Sequence, residues 1–354
     1  MNIFIFLKRL SFLKKFFQQF FRVKIFALLF TVGLCVTLGF SGCTSNTQNS
    51  SANSANNTQS TAKVVRIGYV KSGTLALVRQ QGTLEKRLSS NGITVKWTEF
   101  PHPLPSFQAM NAGNMDFTHA SDGPPIFAQS AGVPLVYLAS TPPSPESLAI
   151  LVHQDSPIKT VTDLKGKKVA FNKGSTSSFL VMRALEQQGM QFSDIQPTYL
   201  SGVDARAAFE GRNVDAWATQ DPSFAAVQNE GGARILKDGK GLVTAREYYF
   251  ASRDFANTNP QIIQEIIDEI EKTGNWAKDH PRQVAELLSP KMGVDVTTLE
   301  LSETRRKRYG IKPINNEVVS EQQKLADNLL RMKLITKPVK VADAVWQPQN
   351  ESSK

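Results

Sequence analysis

Three runs follow one another almost without a gap: Lys168-Val169-Ala170-Phe171, then Lys173-Gly174-Ser175-Thr176-Ser177-Ser178, then Phe179-Leu180-Val181-Met182-Arg183-Ala184-Leu185. The first reads as a short buried strand. The third carries apolar residues at helical spacing and stops at Gly189, a helix-ending residue. A strand that hands over directly to a helix constrains the chain to an α/β sheet architecture. It also sets Thr176, Ser177 and Ser178 at a helix N-terminus, where unpaired N–H groups and the positive dipole end face outward. Two readings of that cluster stand on the residues alone: a Ser/Thr helix cap, or a site for an anion.

The same alternation runs through the chain. Val64-Val65-Arg66-Ile67-Gly68-Tyr69-Val70 reads as a first strand, Lys71-Ser72-Gly73-Thr74 as a turn, and residues 75–88 as a helix. Ile93-Thr94-Val95-Lys96-Trp97-Thr98-Glu99-Phe100 has period two and gives a second strand. Pro101-His102-Pro103-Leu104-Pro105 is a stiff connector into a helix over 106–112. A strand over 115–120, the turn Ser121-Asp122-Gly123, a helix over 126–131 and a strand over 136–140 follow. Residues 148–152 read as a crossing into a second lobe and Tyr248-Tyr249-Phe250-Ala251 as the return. Within that lobe a strand over 214–219 ends at Gln220-Asp221-Pro222. Mostly parallel sheets with helices on both faces are expected, and their ligands sit beyond the carboxyl ends of the strands. Every turn named above lies at such an end. From Pro260 the pattern is helical, with Ile262, Ile263, Ile266, Ile267 and Ile270 on one face and Glu265, Asp268, Glu269 and Lys272 on the wet one. Further helices are expected over 282–288 and 317–332.

Residues 1–42 read as a leader rather than part of the fold. Lys8, Arg9, Lys14, Lys15, Arg22 and Lys24 are its only charges, and an apolar run over 25–40 is short for a spanning helix. The run ends in Phe40-Ser41-Gly42-Cys43, which resembles the lipobox of bacterial lipoproteins, with Phe40 where Leu is usual. That resemblance implies cleavage before Cys43 and acylation there; an uncleaved signal anchor is the alternative. Residues 44–62 are built almost wholly of Ser, Asn, Thr, Gln and Ala, a composition that reads as a flexible tether. The formal net charge is +10, and six of those charges lie in the leader, which leaves +4. So mild a balance does not argue for nucleic acid. With two cysteines, one in the leader and one at the lipidation position, no disulfide framework, thiolate metal site or catalytic thiol is expected.

A longer signature is spread along the remaining chain. It comprises Arg66-Ile67-Gly68-Tyr69, Pro124-Pro125-Ile126-Phe127-Ala128-Gln129, Ser156-Pro157-Ile158-Lys159-Thr160-Val161-Thr162-Asp163-Leu164-Lys165-Gly166 and Lys173-Gly174-Ser175. It continues in Asp204-Ala205-Arg206-Ala207-Ala208-Phe209, Val214-Asp215-Ala216-Trp217-Ala218, Tyr309-Gly310-Ile311-Lys312-Pro313-Ile314-Asn315 and Trp346-Gln347-Pro348. These residues resemble the aliphatic sulfonate-binding proteins of bacterial ABC importers, within the wider group of taurine and nitrate binders. The resemblance implies an α/β, two-lobed periplasmic-binding-protein type II fold with two hinge crossings. Lobe 1 would take 63–150 and 248–348, lobe 2 would take 151–247, and 349–354 would be a tail. It implies an exported, lipid-anchored monomer facing the periplasm or cell exterior, with an ABC permease as partner and no cofactor, metal or catalytic residue.

The implied ligand is a small organic anion, an alkanesulfonate or related organosulfonate taken up for its sulfur. Helix N-termini, backbone N–H groups and hydroxyls can replace water around such a group. Ser72, Gly73, Thr74, His102, Ser121, Asp122 and Gly123 would contribute from lobe 1, and Thr176, Ser177, Ser178, Gln220 and Asp221 from lobe 2. Plain turn roles for Ser72 and Thr74, and a capping role for Asp221, are the competing readings. Three departures from the family pattern fall at cleft-facing turns: Gln220 in place of Trp, Ser121-Asp122-Gly123, and Pro101-His102-Pro103-Leu104-Pro105. An amide where a flat aromatic is usual exchanges apolar contact for hydrogen bonding, which suits a more polar organic part. Taurine, nitrate, bicarbonate or a pyrimidine as ligand, and an enzyme or a membrane-tethered sensor on the same fold, are the other classes. No Gly-x-Ser-x-Gly elbow or metal-ligand spacing favours the enzyme.

Overall fold

The computed structural model describes residues 64–200, 202–306 and 309–347. The leader 1–42, the tether 43–62, Cys43 and the tail 349–354 lie outside the described residues. Among the described residues no helix is long and apolar enough to cross a membrane.

The first lobe opens with β1 (Val64–Tyr69), α1 (Thr74–Gln81), α2 (Thr83–Ser89), β2 (Thr94–Glu99), α3 (Pro103–Asn111), β3 (Phe117–Ser121), α4 (Gly123–Ser130) and β4 (Leu135–Ser140). The second comprises β5 (Leu148–His153), β6 (Lys168–Phe171), α5 (Thr176–Gln187), β7 (Gln196–Tyr199), α6 (Gly202–Glu210), β8 (Ala216–Gln220), α7 (Ser223–Asn229) and β9 (Ala233–Asp238). The chain returns through β10 (Glu247–Ser252) and continues as α8 (Arg253–Thr258), α9 (Pro260–Asp279), α10 (Pro281–Met292), α11 (Val296–Arg305), β11 (Lys312–Pro313) and α12 (Asn316–Arg331). One sheet has six strands in the order β11-β4-β10-β3-β1-β2, the other five in the order β7-β6-β8-β5-β9.

Both sheets are mixed, which corrects the expectation of mostly parallel pairing. β10 is antiparallel to β3 and β4, and β5 is antiparallel to β8 and β9. These are the two strands next to the crossings. A strand arriving from the other lobe enters at the cleft end of its sheet, so it must run against neighbours that point toward the cleft. Both are sandwiched. Tyr248 and Phe250 face the core built on Phe107, Ile126 and Leu325, while Tyr249 and Ala251 face Ile67, Leu75 and Ile266. In β5, Leu148, Ile150 and Val152 face one core and Ala149 and Leu151 the other. Period-two alternation of apolar side chains on both faces is what a fully buried strand requires.

Several element boundaries differ from the sequence expectation, each for a local reason. The helix expected over 75–88 is two helices, because Gly82 takes a left-handed φ of 62° that ends α1 and opens α2. α3 begins at Pro103, since proline in a first helical turn forfeits only an N–H that has no partner there. α11 was not expected at all; Asp295 caps it by accepting the Thr298 N–H at 2.9 Å. On α9, Glu269 is buried rather than wet and faces Arg87 at 3.8 Å, in a cluster where Arg87 also meets Glu265 at 3.4 Å and Asp268 at 3.0 Å.

Asp163 supplies a pH-dependent element in the second lobe. Its carboxylate accepts the N–H groups of Lys159 at 2.9 Å and Thr160 at 2.8 Å, and these bonds hold its pKa below the ordinary aspartate value of 3.8. A depressed folded-state pKa contributes stability that is present above the unfolded value and lost as pH falls through the lowered one. In thermal melts from about pH 7 to about pH 3, the wild-type Tm advantage over Asp163→Asn should therefore shrink on the acid side. A difference that stays constant across that range would refute the assignment.

Candidate functional site

The loops at the carboxyl ends of both sheets enclose a cavity of about 860 Å³. From the first lobe, Ser72, Gly73, His102, His119 and Ser121 line it; from the second, Asn172, Lys173, Gly174, Ser175, Thr176, Gln220 and Asp221 do. Phe100, Leu104, Pro124, Phe127 and Leu334 form an apolar stretch of the wall. Lys71, Lys173 and Lys333 are exposed on the lining, so the mouth carries positive charge, and the Lys173 ammonium lies 5.3 Å from the centre of the Tyr199 ring.

The structure separates the hydroxyl cluster into distinct tasks. Ser175 is the helix cap: its Oγ accepts the Ser178 N–H at 3.3 Å and donates to the Asn172 carbonyl at 2.7 Å. Ser178 turns back to donate to the Ser175 carbonyl at 2.7 Å, and Ser177 and Ser178 are buried away from the cavity lining. Thr176 reaches the cavity and donates across the cleft to Asp122 Oδ2 at 3.0 Å. Asp122 itself is buried off the lining and acts as a hub. Its Oδ1 accepts the Arg246 N–H at 3.2 Å, and its carbonyl accepts from Gln322 at 2.6 Å. Thr74 opens α1 and is buried off the lining, as is Gly123. Asp221 lines the cavity but is also spoken for: it accepts the Ala225 N–H at 3.1 Å within α7 and pairs with Arg305 at 3.0 Å. The capping reading of Asp221 describes that first bond.

Two charged groups on the cavity wall, Glu247 and Arg306, went unnamed in the sequence reading, whereas His119 reads from the sequence as a satisfied, half-buried strand histidine. His119 Nδ1 hydrogen-bonds the Glu247 carboxylate, and both are buried, 4% and 6% exposed. The Val70 N–H donates to His119 Nε2 at 3.4 Å, so the ring is held from both nitrogens. Glu247 lies against the turn that opens α1, for a methyl on Gly73 would stand 2.9 Å from its Oε1. Arg306 follows α11 and is 8% exposed, with Glu303 at 3.3 Å. Burial alone would lower its pKa, but the negative charges of Glu303, Glu247 and Asp221 outweigh that and hold it above the ordinary guanidinium value. Burial pushes Tyr309 well up too, beside the Glu303 carboxylate to which its hydroxyl donates. Among the described residues no group of three or more His, Cys, Asp and Glu could hold a metal ion.

The two lobes touch at the cavity wall. A methyl on Gly123 would meet the Gly174 carbonyl at 2.5 Å, and one on Gly174 would meet the Phe127 ring at 2.6 Å. This fit, with the Asp122–Thr176 bond beside it, requires glycine at both positions.

Comparison with known proteins gives consistent relatives. A family model described as NMT1/THI5 like matches residues 88–284. A protein of Escherichia coli (strain K12) assigned as an aliphatic sulfonates-binding protein is 42% identical over 296 residues, 83% of this chain and 92% of its own. The crystal structure of the periplasmic aliphatic sulphonate binding protein SsuA from Escherichia coli superposes with a TM-score of 0.79 at 41% identity, covering 83% of this chain and 95% of that one. The alkanesulfonate-binding protein SsuA from Xanthomonas axonopodis pv. citri, bound to MOPS, superposes with a TM-score of 0.74 at 35% identity, covering 81% and 99%.

Gly123→Ala should keep the lobes from meeting. Its backbone is not in the left-handed region, so the helix itself tolerates alanine. The expected result is an unchanged Tm, a larger radius of gyration by small-angle scattering in the presence of ligand, and affinity lower by about tenfold or more, equivalent to about 1.4 kcal/mol. Unchanged affinity would show that this contact plays no part in closure.

Proposed function

We propose that this chain, which belongs to the aliphatic sulfonates-binding proteins, captures a small organosulfonate outside the cytoplasmic membrane and delivers it to the permease of an ABC importer. The observation that carries the reading is the cavity between the two sheets, with the capped N-terminus of α5 on its wall and exposed cations at its mouth. A sulfonate carries one charge over three acceptor oxygens and stays ionised at physiological pH. First-turn N–H groups of a 12-residue helix suit it without proton exchange. The Thr176 N–H can face the acid group, its hydroxyl being committed to Asp122, while Ser72, Ser121, Gln220 and Asp221 face the rest of the ligand. The apolar stretch from Phe100 to Leu104, with Phe127, accommodates the carbon chain.

In this reading the leader directs export, Cys43 carries the lipid anchor, and the protein acts as a monomer tethered to the membrane by lipid alone. The two lobes close on the ligand, the permease meets the closed form, and the ligand leaves chemically unchanged. Gln220 at the cavity wall favours a sulfonate bearing a polar substituent over a plain alkyl chain.

Titration calorimetry of the full chain with ethanesulfonate, isethionate and taurine tests the reading. Binding of these sulfonates is expected, tighter for isethionate or taurine than for ethanesulfonate, with the compound recovered intact. Because Lys71, Lys173 and Lys333 line the mouth, the association rate should fall as ionic strength rises through about 0.15 M. No binding of any sulfonate, together with binding of nitrate, bicarbonate or a pyrimidine, would overturn the assignment.

A further inference from the structure

The helix end that the first lobe offers to an anion is already occupied by the protein itself. Glu247 sets its carboxylate against the turn at Gly73, where a methyl would lie 2.9 Å from Oε1 and 3.2 Å from Oε2. A negative charge is well placed there, at the positive end of α1. The same charge repels a second anion, so the acid group of a ligand is turned away from Ser72, Gly73 and Thr74.

Arg306 is the complementary feature. It lines the cavity, is 8% exposed, and places Nη1 3.3 Å from Glu303. Its Nε is fully buried and has no hydrogen-bond partner among the described residues. A guanidinium presents five N–H donors in a rigid plane, so one edge can stay on Glu303 while another meets an oxyanion.

We propose that Arg306 is the cation that holds the ligand's acid group in this cavity, donating from the exposed part of its guanidinium to an oxygen of the sulfonate while Glu247 keeps that group off the first-lobe helix. The inference rests on the sulfonate-binding reading above and adds the residue and the orientation. Lysine cannot substitute fully, since it keeps the charge and loses the planar fork.

The test is calorimetry with ethanesulfonate on the full wild-type chain, Arg306→Lys and Arg306→Met, alongside thermal melts. Arg306→Met should bind about 30-fold or more weakly, and Arg306→Lys about 5- to 10-fold more weakly, as expected for loss of a charge-assisted hydrogen bond and of its geometry. A folded Arg306→Met that binds within about threefold of wild type overturns the proposal. Should that variant not fold, Arg306→Lys decides, and wild-type affinity in it is the overturning result. A second measurement needs no variant affinity: the Arg306 Nε–H resonance in nitrogen-15 spectra, assigned by its loss in Arg306→Lys, should shift on adding ethanesulfonate to wild type. A resonance that stays in place while wild type binds ethanesulfonate removes Arg306 from the site and leaves the sulfonate reading standing. Wild type that binds no sulfonate brings down that reading itself, and this proposal with it.

Discussion

Two strands carry the architecture, and each must be buried on both faces because it lies inside a sheet of the lobe it joins. β5 and β10 meet that demand with alternating apolar side chains that feed a core on each side. Their reversed direction follows from where they enter. The same geometry delivers polar groups to the cleft, because the residues immediately before β10 and at its first position are Arg246 and Glu247. A crossing strand of this kind holds the lobes in one molecule and sets the charged floor between them.

That floor is expensive to assemble, and each of its buried carboxylates is paired. Glu247 has His119, Asp221 has Arg305 and the Ala225 N–H, and Glu303 has Arg306 and Tyr309. Arg246 pairs with Glu321 at 2.9 Å and donates to the Thr141 carbonyl at 3.0 Å. Buried charges survive only when paired and hydrogen-bonded, and removing one partner costs far more than the pair contributes. The arrangement also draws in α11, which packs on α7 of the second lobe through the Arg305–Asp221 pair and a 3.2 Å bond from Asn229 to Thr298. Elements late in the chain thereby report to the lobe in the middle of it.

Strand–turn–helix alternation was readable because burial writes periodicity directly into sequence. Val169 to Phe171, Ile262 to Ile270 and Tyr248 to Ala251 carry apolar side chains at spacings that only one element satisfies. Breaks were harder. Gly82 splits a helix whose apolar pattern continues past it, and nothing in that pattern marks the residue as a boundary rather than a tolerated interior glycine. The site was legible in part. Ser72, Gly73, His102, Ser121, Thr176, Gln220 and Asp221 sit on the cavity wall, whereas Thr74, Asp122, Gly123, Ser177 and Ser178 are packed behind it. Glycine-poor hydroxyl runs look alike in sequence, so the cap at Ser175 could not be told from its neighbours. Arg306 sits in Arg305-Arg306-Lys307-Arg308, where nothing in the sequence sets it apart from its basic neighbours.

The amino-acid sequence therefore determined the βα units, their order, the two crossings and the set of turns that could meet a ligand, because each depends on contacts between residues close in the chain. Tertiary structure alone decided which of those turns face the cavity, that a carboxylate occupies the first-lobe helix end, and that a buried guanidinium lines the same cavity. Those outcomes join His119 to Glu247, Asp122 to Thr176 and Asp221 to Arg305, partners far apart in the chain. No local pattern encodes such a pairing, since its energy comes from desolvation and charge that exist only once the lobes have folded against each other.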